Sequence, residues 1–294
     1  MCQTIDADCP AKSVRPHRER GGNDEDLDDT RVDDHCRVPA TARRHCGHSA
    51  GSAERTGSRG AARPAGGHSR YTRLGLYIFG NGACSNDGAS ARLHLLEIAS
   101  HGYLAIAPGR LRSGPGATAP RQQLPPPATC SADLTSALDW ALKQNDDPKS
   151  PYHHRIDPRA VAVSGYSCGG LQALEIANPG SGASIPGMDQ QKSLLETLHT
   201  PVFYILGGET DIAYANGMDD FQRIDKVPVF LGNVLYVGHG GTYWEPHGGK
   251  AAKAVVAWLD WQLRKDQQAA KTFVGKNCGL CTDPARTVDK KKID

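Results

Sequence analysis

The stretch VAVSGYSCGGLQAL, residues 161–174, reads as a short apolar strand, a glycine-flanked turn and the start of a helix. It contains Gly-x-Ser-x-Gly at Gly165–Gly169, which puts Ser167 on the turn. In a chain with 33 glycines the bare pattern is weak, and GHSAG at 47–51 satisfies it equally. Context separates the two. A nucleophilic serine needs a sharp strand-to-helix turn that exposes its hydroxyl and aims the helix N-terminus at the charge that develops. Ser167 has VAVS before it and GGLQALEIA after it, whereas Ser49 lies between ATARRHC and SAERTGSRG, neither of which has strand or helix character. GYSCG is the candidate; its bland reading is a turn serine in a domain without catalysis.

Working outward, Leu74–Phe79 is an apolar strand ending in the glycine-rich loop GNGAC. ARLHLLEIASHG places Leu93, Leu96 and Ile98 on helical spacing, and YLAIAPG at 103–109 is a second strand. A loop dense in proline and glycine leads to SADLTSALDWALKQ, a helix with Ser131 as N-cap and Leu134, Ala137, Leu138, Ala141 and Leu142 on one face. PVFYILGGETD at 201–211 and NVLYVGHGG at 233–241 read as strands, and GGKAAKAVVAWLDWQLRKD as a closing helix. Strands alternating with helices predict an α/β fold with a doubly wound, mostly parallel sheet. Between the elbow helix and the strand at 201 the sequence offers no further strand, which predicts a gap in the sheet beside the nucleophile strand.

The segment 1–70 has no Phe, Trp or Tyr and only Ile5, Val14, Leu27, Val32 and Val38 as large aliphatics, so it is expected to be a disordered, low-complexity segment. Its 12 Lys/Arg balance 11 Asp/Glu, and the whole chain carries a formal charge of +2, which gives no reason to invoke nucleic acid. HCRVPATARRHCGH at 35–48 offers Cys and His side chains without the spacing of a closed zinc site. No stretch of apolar residues is long enough for a membrane span, and the N-terminus lacks the apolar core of a secretory signal. The expected organisation is 1–70 disordered, 71–268 a catalytic domain, and 269–294 a cysteine-containing tail.

A hydroxyl is a weak nucleophile near neutral pH and needs a histidine base, itself oriented by a carboxylate. In this architecture those partners follow in the order Ser, acid, His, each after its own strand. Asp211 ends PVFYILGGETD and His239 ends NVLYVGH, so both fall where the geometry asks. Glu209, and less so Asp219, Asp220 and Asp225, compete for the acid; His247 competes for the base, and His101 reads as structural. Cys168 is not itself a Gly-x-Cys-x-Gly nucleophile, because that register would need glycine at Tyr166. Oxyanion donors are expected from the Cys168 N–H and from the loop GNGAC, through Ala83 or Gly82. Tyr166, Tyr243 and Trp244 flank the catalytic positions and can contact substrate or simply pack.

These residues resemble the α/β-hydrolase superfamily, and within it exported microbial serine hydrolases distantly similar to dienelactone hydrolase and cutinase-like polyester hydrolases. The resemblance rests on YIFGNGAC, ASHGYLAIAPG, GYSCGGLQAL, YILGGETDIAY, VGHGGTYWEPHGG and FVGKNCGLCTDPARTV, within residues 71–294. It implies hydrolysis of a small or polymeric carboxylic ester through an acyl-enzyme, without cofactor or metal, by a secreted or periplasmic protein. The cysteines fit that reading: Cys278 and Cys281 could close a small disulfide in the tail, and a bridge between Cys84 and Cys168 beside the oxyanion hole is conceivable. The alternative is a non-catalytic α/β-hydrolase-like binding protein or an inactive remnant.

Overall fold

The computed structural model describes residues 2–5, 73–114, 129–177 and 192–294. Seven strands form one mixed sheet: β1 (Cys2–Ile5), β2 (Leu74–Gly80), β3 (Tyr103–Ile106), β4 (Ile156–Gly165), β5 (Val202–Leu206), β6 (Val229–Val234) and β7 (Arg286–Lys291), in the order β3-β2-β4-β1-β5-β6-β7. β2 pairs in parallel with β3 and β4, and β5 with β6. β1 runs antiparallel to both β4 and β5, and β7 antiparallel to β6. Five strands therefore point the same way and deliver their C-terminal ends to one edge. The loops after β2, β4, β5 and β6 meet there.

Alternating side chains explain the layering. On β2, Leu76 and Ile78 face α2 (Ser131–Asp146) and α3 (Cys168–Ile176), in a cluster with Leu104, Leu134, Val161, Val163 and Ala173. Tyr77 and Phe79 point the other way, toward α1 (Arg92–Ser100) and α5 (Gly249–Arg264), where Leu95, Ile98, Val255 and Trp258 pack with Phe203, Phe230 and Phe273. Further along the sheet Val202, Tyr204, Leu206, Val229 and Leu231 bury against Phe221 of α4 (Tyr214–Arg223). Helices thus cover both faces, and central strands buried on both sides read as continuous apolar runs. A short α6 (Gln267–Ala270) follows α5.

Several expectations are corrected. Cys2–Ile5, read as part of a disordered segment, form β1, and this strand occupies the predicted gap, with Gln3 opposite Val163 on one side and Val202 on the other. The rest of the 1–70 segment, including Ser49 and the Cys/His stretch at 35–48, lies outside the described residues. The strand expected at 233–241 is β6 at Val229–Val234; the glycines from Gly238 onward favour turns. The expected tail contributes β7, an edge strand whose RTVDKK sequence conceals it because lysines and an aspartate take the place of apolar alternation. Lys291 donates to the carbonyls of Phe221, Gln222 and Ile224 and so caps the end of α4. On α1 the buried face is His94, Leu95, Ile98 and Ala99, with Leu96 exposed, and Ser131 is the first helical residue of α2 rather than its cap. The capping is done by Asp133, whose carboxylate accepts from the Cys130 N–H.

His94 is a buried polar residue in this core. Its Nε2 lies 2.9 Å from Tyr77 Oη, its ring centroid is 4.6 Å from that of Tyr243, and its Nδ1 has no partner among the described residues. Burial pulls its pKa down from 6.5 to about 3, so it is neutral in the fold. The unfolded chain takes up this proton below about pH 6.5, so the stabilisation is complete above that pH and declines as pH falls toward 3, by about 1.4 kcal/mol per unit. His94→Gln keeps a polar partner for Tyr77 and removes the titration. Urea unfolding at pH 7 and pH 5 should show the wild type losing about 2 kcal/mol more than the variant; equal losses would mean that His94 does not titrate in this way.

Candidate active site

Ser167 sits between β4 and α3 with φ 54° and ψ −123°, a left-handed conformation for a residue with a side chain. Such a conformation costs about 1–3 kcal/mol and persists only where its surroundings hold it. Here glycines do so: a Cβ on Gly80, Gly165 or Gly169 would overlap backbone atoms, with Gly80 and Gly169 meeting each other directly. The Tyr166 N–H donates to Gly80 O (3.1 Å), the Gly169 N–H to Tyr166 O (3.0 Å) and the Gly170 N–H to Ser167 O (2.7 Å). The Ser167 side chain is exposed at the N-terminus of α3.

The loops after β5 and β6 bring Asp211 and His239 together, with Asp211 Oδ1 2.6 Å from His239 Nδ1. Asp211 is buried and its carboxylate is well provided: Oδ2 accepts from the Gly207 N–H (2.9 Å) and Oδ1 also accepts from the Ala213 N–H (2.8 Å). An ionised carboxylate only accepts, which assigns the proton of the pair to Nδ1 and leaves Nε2 as the basic nitrogen. The two loops are held together by the Gly238 N–H donating to Gly207 O (2.7 Å), a contact too close for a side chain on Gly207. Asn233 Oδ1 accepts from the Gly208 N–H (2.8 Å) and fixes the acid's loop from the neighbouring strand. Sequence reasoning missed Asn233, although a lone amide inside the apolar run VFLGNV was a signal.

The rivals are engaged elsewhere or face solvent. Glu209 is exposed; Asp219 pairs with Arg223 and Lys192; Asp220 is bound to Lys192 and accepts from Tyr204 Oη; Asp225 is exposed. His247 is exposed and its Nδ1 lies 3.0 Å from Glu97 Oε2, while His101 pairs with the same glutamate. The residue before Ser167 reaches the Asp211–His239 pair: the Tyr166 and His239 ring centroids are 4.9 Å apart. Among the described residues Ser167 Oγ makes no hydrogen bond to His239; such contacts commonly tighten only with substrate bound.

The loop after β2 forms a single 3₁₀ turn, Gly82–Cys84, in which Ala83 (φ 54°) and Cys84 (φ 47°) are both left-handed. A disulfide joins Cys84 to Cys168 with Cα atoms 5.2 Å apart, and a second joins Cys278 to Cys281 at 4.8 Å. Among the described residues neither the Ala83 N–H nor the Cys168 N–H has a hydrogen-bond partner. Gly82 leaves room for the Tyr166 ring, which lies 5.4 Å from Tyr243 and edge-on to Trp244 at 5.6 Å. Trp244 is anchored by its Nε1–H donating to Ser90 O (3.0 Å), and part of its ring stays exposed. Burial foremost, and then the Asp211 charge, push the Tyr166 hydroxyl up to about 12, so it remains protonated.

Among the described residues no group of three or more His, Cys, Asp or Glu side chains could hold a metal ion, and no helix is long and apolar enough to cross a membrane. No protein-family model matches the chain, and no curated protein matches it significantly.

The glycine contacts make opposite predictions for neighbouring positions. Gly169→Ala drives a methyl group into Gly80 and should destabilise by at least about 1–3 kcal/mol. A Cβ on Gly170 would lie 3.4 Å from its nearest neighbour, so Gly170→Ala should be neutral or slightly stabilising in its helix. In thermal melts Gly169→Ala should fall well below the wild type while Gly170→Ala stays level with it or rises slightly; equal tolerance would remove the close contact from the account.

Proposed function

We propose that the protein is a serine hydrolase of the α/β-hydrolase fold that cleaves carboxylic esters through an acyl-enzyme. The observation that carries the reading is the Asp211–His239 hydrogen bond, at the sheet edge that also presents Ser167 in a left-handed strand-to-helix turn. In this reading Ser167 Oγ attacks the ester carbonyl as His239 Nε2 takes its proton. Asp211 holds the ring and stabilises the imidazolium. The N–H groups of Cys168 and Ala83 receive the oxyanion, and the helix N-terminus adds positive potential. His239 then returns the proton to the departing alcohol, and a water molecule activated by the same nitrogen releases the acid. No step calls for a cofactor.

Charge and exposure around the site favour a neutral, apolar ester. The segments 80–91, 165–177, 206–222 and 234–249 contain no Lys or Arg, while Asp87, Glu209 and Glu245 are present. Ile212 is 74 % exposed and Tyr236 93 %, and with Val237 and Trp244 they put apolar surface on the loops that carry Asp211 and His239. Nothing in those segments would compensate an anionic acyl group.

A second reading, an α/β-hydrolase-like protein without catalysis, draws on the missing Ser167–His239 hydrogen bond. Hydrolysis of p-nitrophenyl butyrate by the full chain separates the two. Ser167→Ala is expected to lower kcat by roughly 10³-fold or more, with a fluorophosphonate labelling the wild type at Ser167 alone. A folded wild type that neither turns over nor labels would favour the non-catalytic reading. For the substrate class, p-nitrophenyl butyrate should exceed p-nitrophenyl hemisuccinate in kcat/KM by about tenfold; parity would refute the charge argument.

A further inference from the structure

We infer that the Cys84–Cys168 disulfide is a positioning element for the oxyanion hole, which makes the hydrolase active when oxidised and impaired when reduced. The inference rests on the proposed function above.

The bond joins the two backbone segments that supply the proposed donors. Cys168 is itself one donor and Cys84 directly follows the other, Ala83; their Cα atoms are separated by 84 positions in sequence and 5.2 Å in space. Stabilising an oxyanion needs two N–H groups at a fixed separation, aimed at a single point. Without the covalent link, the first segment is a short turn carrying two successive non-glycine residues at φ 54° and 47°, a conformation disfavoured for each of them. The turn is held at its flanks: Asn81 Nδ2 donates to Ser85 O and to Pro108 O, and Thr129 donates to Cys84 O. The disulfide is the covalent tie between the turn and the helix that follows Ser167; a further link is indirect, through Thr129, which donates to Cys84 O and whose own carbonyl accepts from Gln172 Nε2 of that helix.

The second segment does not depend on the bond. Its position against β2 and β4 follows from the contacts of Gly80, Gly165 and Gly169, which no thiol chemistry alters. Reduction is therefore expected to release the 82–85 turn while leaving the nucleophile turn and the Asp211–His239 pair in place. Substrate binding persists and transition-state stabilisation is lost, so the effect falls on kcat rather than KM. Cys168 is partly exposed, which gives a reductant a way in. With dithiothreitol the balance is plain: its two thiols close to a cyclic disulfide, and two electrons and two protons pass to Cys84 and Cys168 as their S–S bond breaks.

The experiment compares full-length wild type, Cys84→Ala/Cys168→Ala and Cys278→Ala/Cys281→Ala, each before and after dithiothreitol, with mass spectrometry reporting which bonds are open. On p-nitrophenyl butyrate the reduced wild type and the Cys84/Cys168 variant should lose about 10²-fold in kcat with KM within about twofold. Reoxidation should restore the wild type, and the Cys278/Cys281 variant should retain both its activity and its redox response. Hydrogen exchange provides a readout independent of catalysis: the Ser85 N–H, which donates to Gly82 O at 3.1 Å, should exchange faster once the bond opens. A kcat within about threefold of the oxidised wild type, with the Cys84–Cys168 bond shown open, overturns the inference, as does unchanged Ser85 exchange. Absence of Ser167-dependent turnover in the oxidised wild type instead defeats the proposed function, and the exchange measurement then decides alone whether the bond holds the turn.

Discussion

The contact between Gly80 and Gly169 governs the geometry of the site. At that point the first turn of a helix meets the end of a neighbouring strand with only hydrogens between the backbones. Any larger side chain would push α3 away from β2, and Ser167 would lose the turn that keeps it at φ 54°. The same contact brings the helix N-terminus and the 82–84 turn within reach of each other, which is the condition for the Cys84–Cys168 bond. A similar device joins the other half of the site, where Gly207 and Gly238 meet backbone to backbone and bring the loops of Asp211 and His239 together. Glycine is required in both places for absence of bulk, and only at some of them for its freedom of φ.

Much of this was legible in the sequence because the signals were local. The strand, turn and helix around Ser167 are contiguous, and the positions of Asp211 and His239 follow from the ends of apolar runs. Asp211 was separable from Glu209 only by register: the shorter, buried side chain accepts from Gly207 and Ala213, while Glu209, two residues earlier, faces solvent. The sequence carries residue spacing but not the direction of a loop, so both carboxylates remained candidates. β7 was hidden for a different reason. An edge strand meets the core on one face and solvent on the other, and its Thr287, Asp289 and lysines satisfy its place at the edge without an apolar pattern. The burial of His94 was also invisible, since a histidine between two leucines reads as the polar side of a helix until Tyr77 and Tyr243 surround it.

The aromatic residues near the site link its chemistry to its packing. Tyr166 precedes Ser167, packs at a tilt near His239 and touches both Tyr243 and Trp244, so one ring joins the Ser167 turn to three residues of the loop after β6. Tyr243 in turn reaches Phe79 and His94 in the core between the sheet and α1. The histidine loop is therefore fastened to the hydrophobic interior by aromatic contacts, while its outer face, at Tyr236 and Val237, stays open. A loop built this way can hold His239 still and yet present apolar surface to what approaches.

The short strand β1 has an influence out of proportion to its four residues. β3, β2 and β4 form one parallel group that carries Ser167 and the 82–84 turn; β5 and β6 form a second parallel pair, edged by the antiparallel β7, that carries Asp211 and His239. Among the described residues the sheet is continuous between them only through Cys2–Ile5, paired on one side with Val161–Ser164 and on the other with Val202 and Phe203. Without it, the backbone groups of Val161–Ser164 on that side would lie unpaired in a core buried above and below, which is strongly unfavourable. The strand runs antiparallel, yet its hydrogen bonds keep β4 and β5 pointing the same way, and that shared direction sends the loops of Ser167 and Asp211 to the same edge. A segment with few apolar residues can serve here because the position calls first for backbone donors and acceptors.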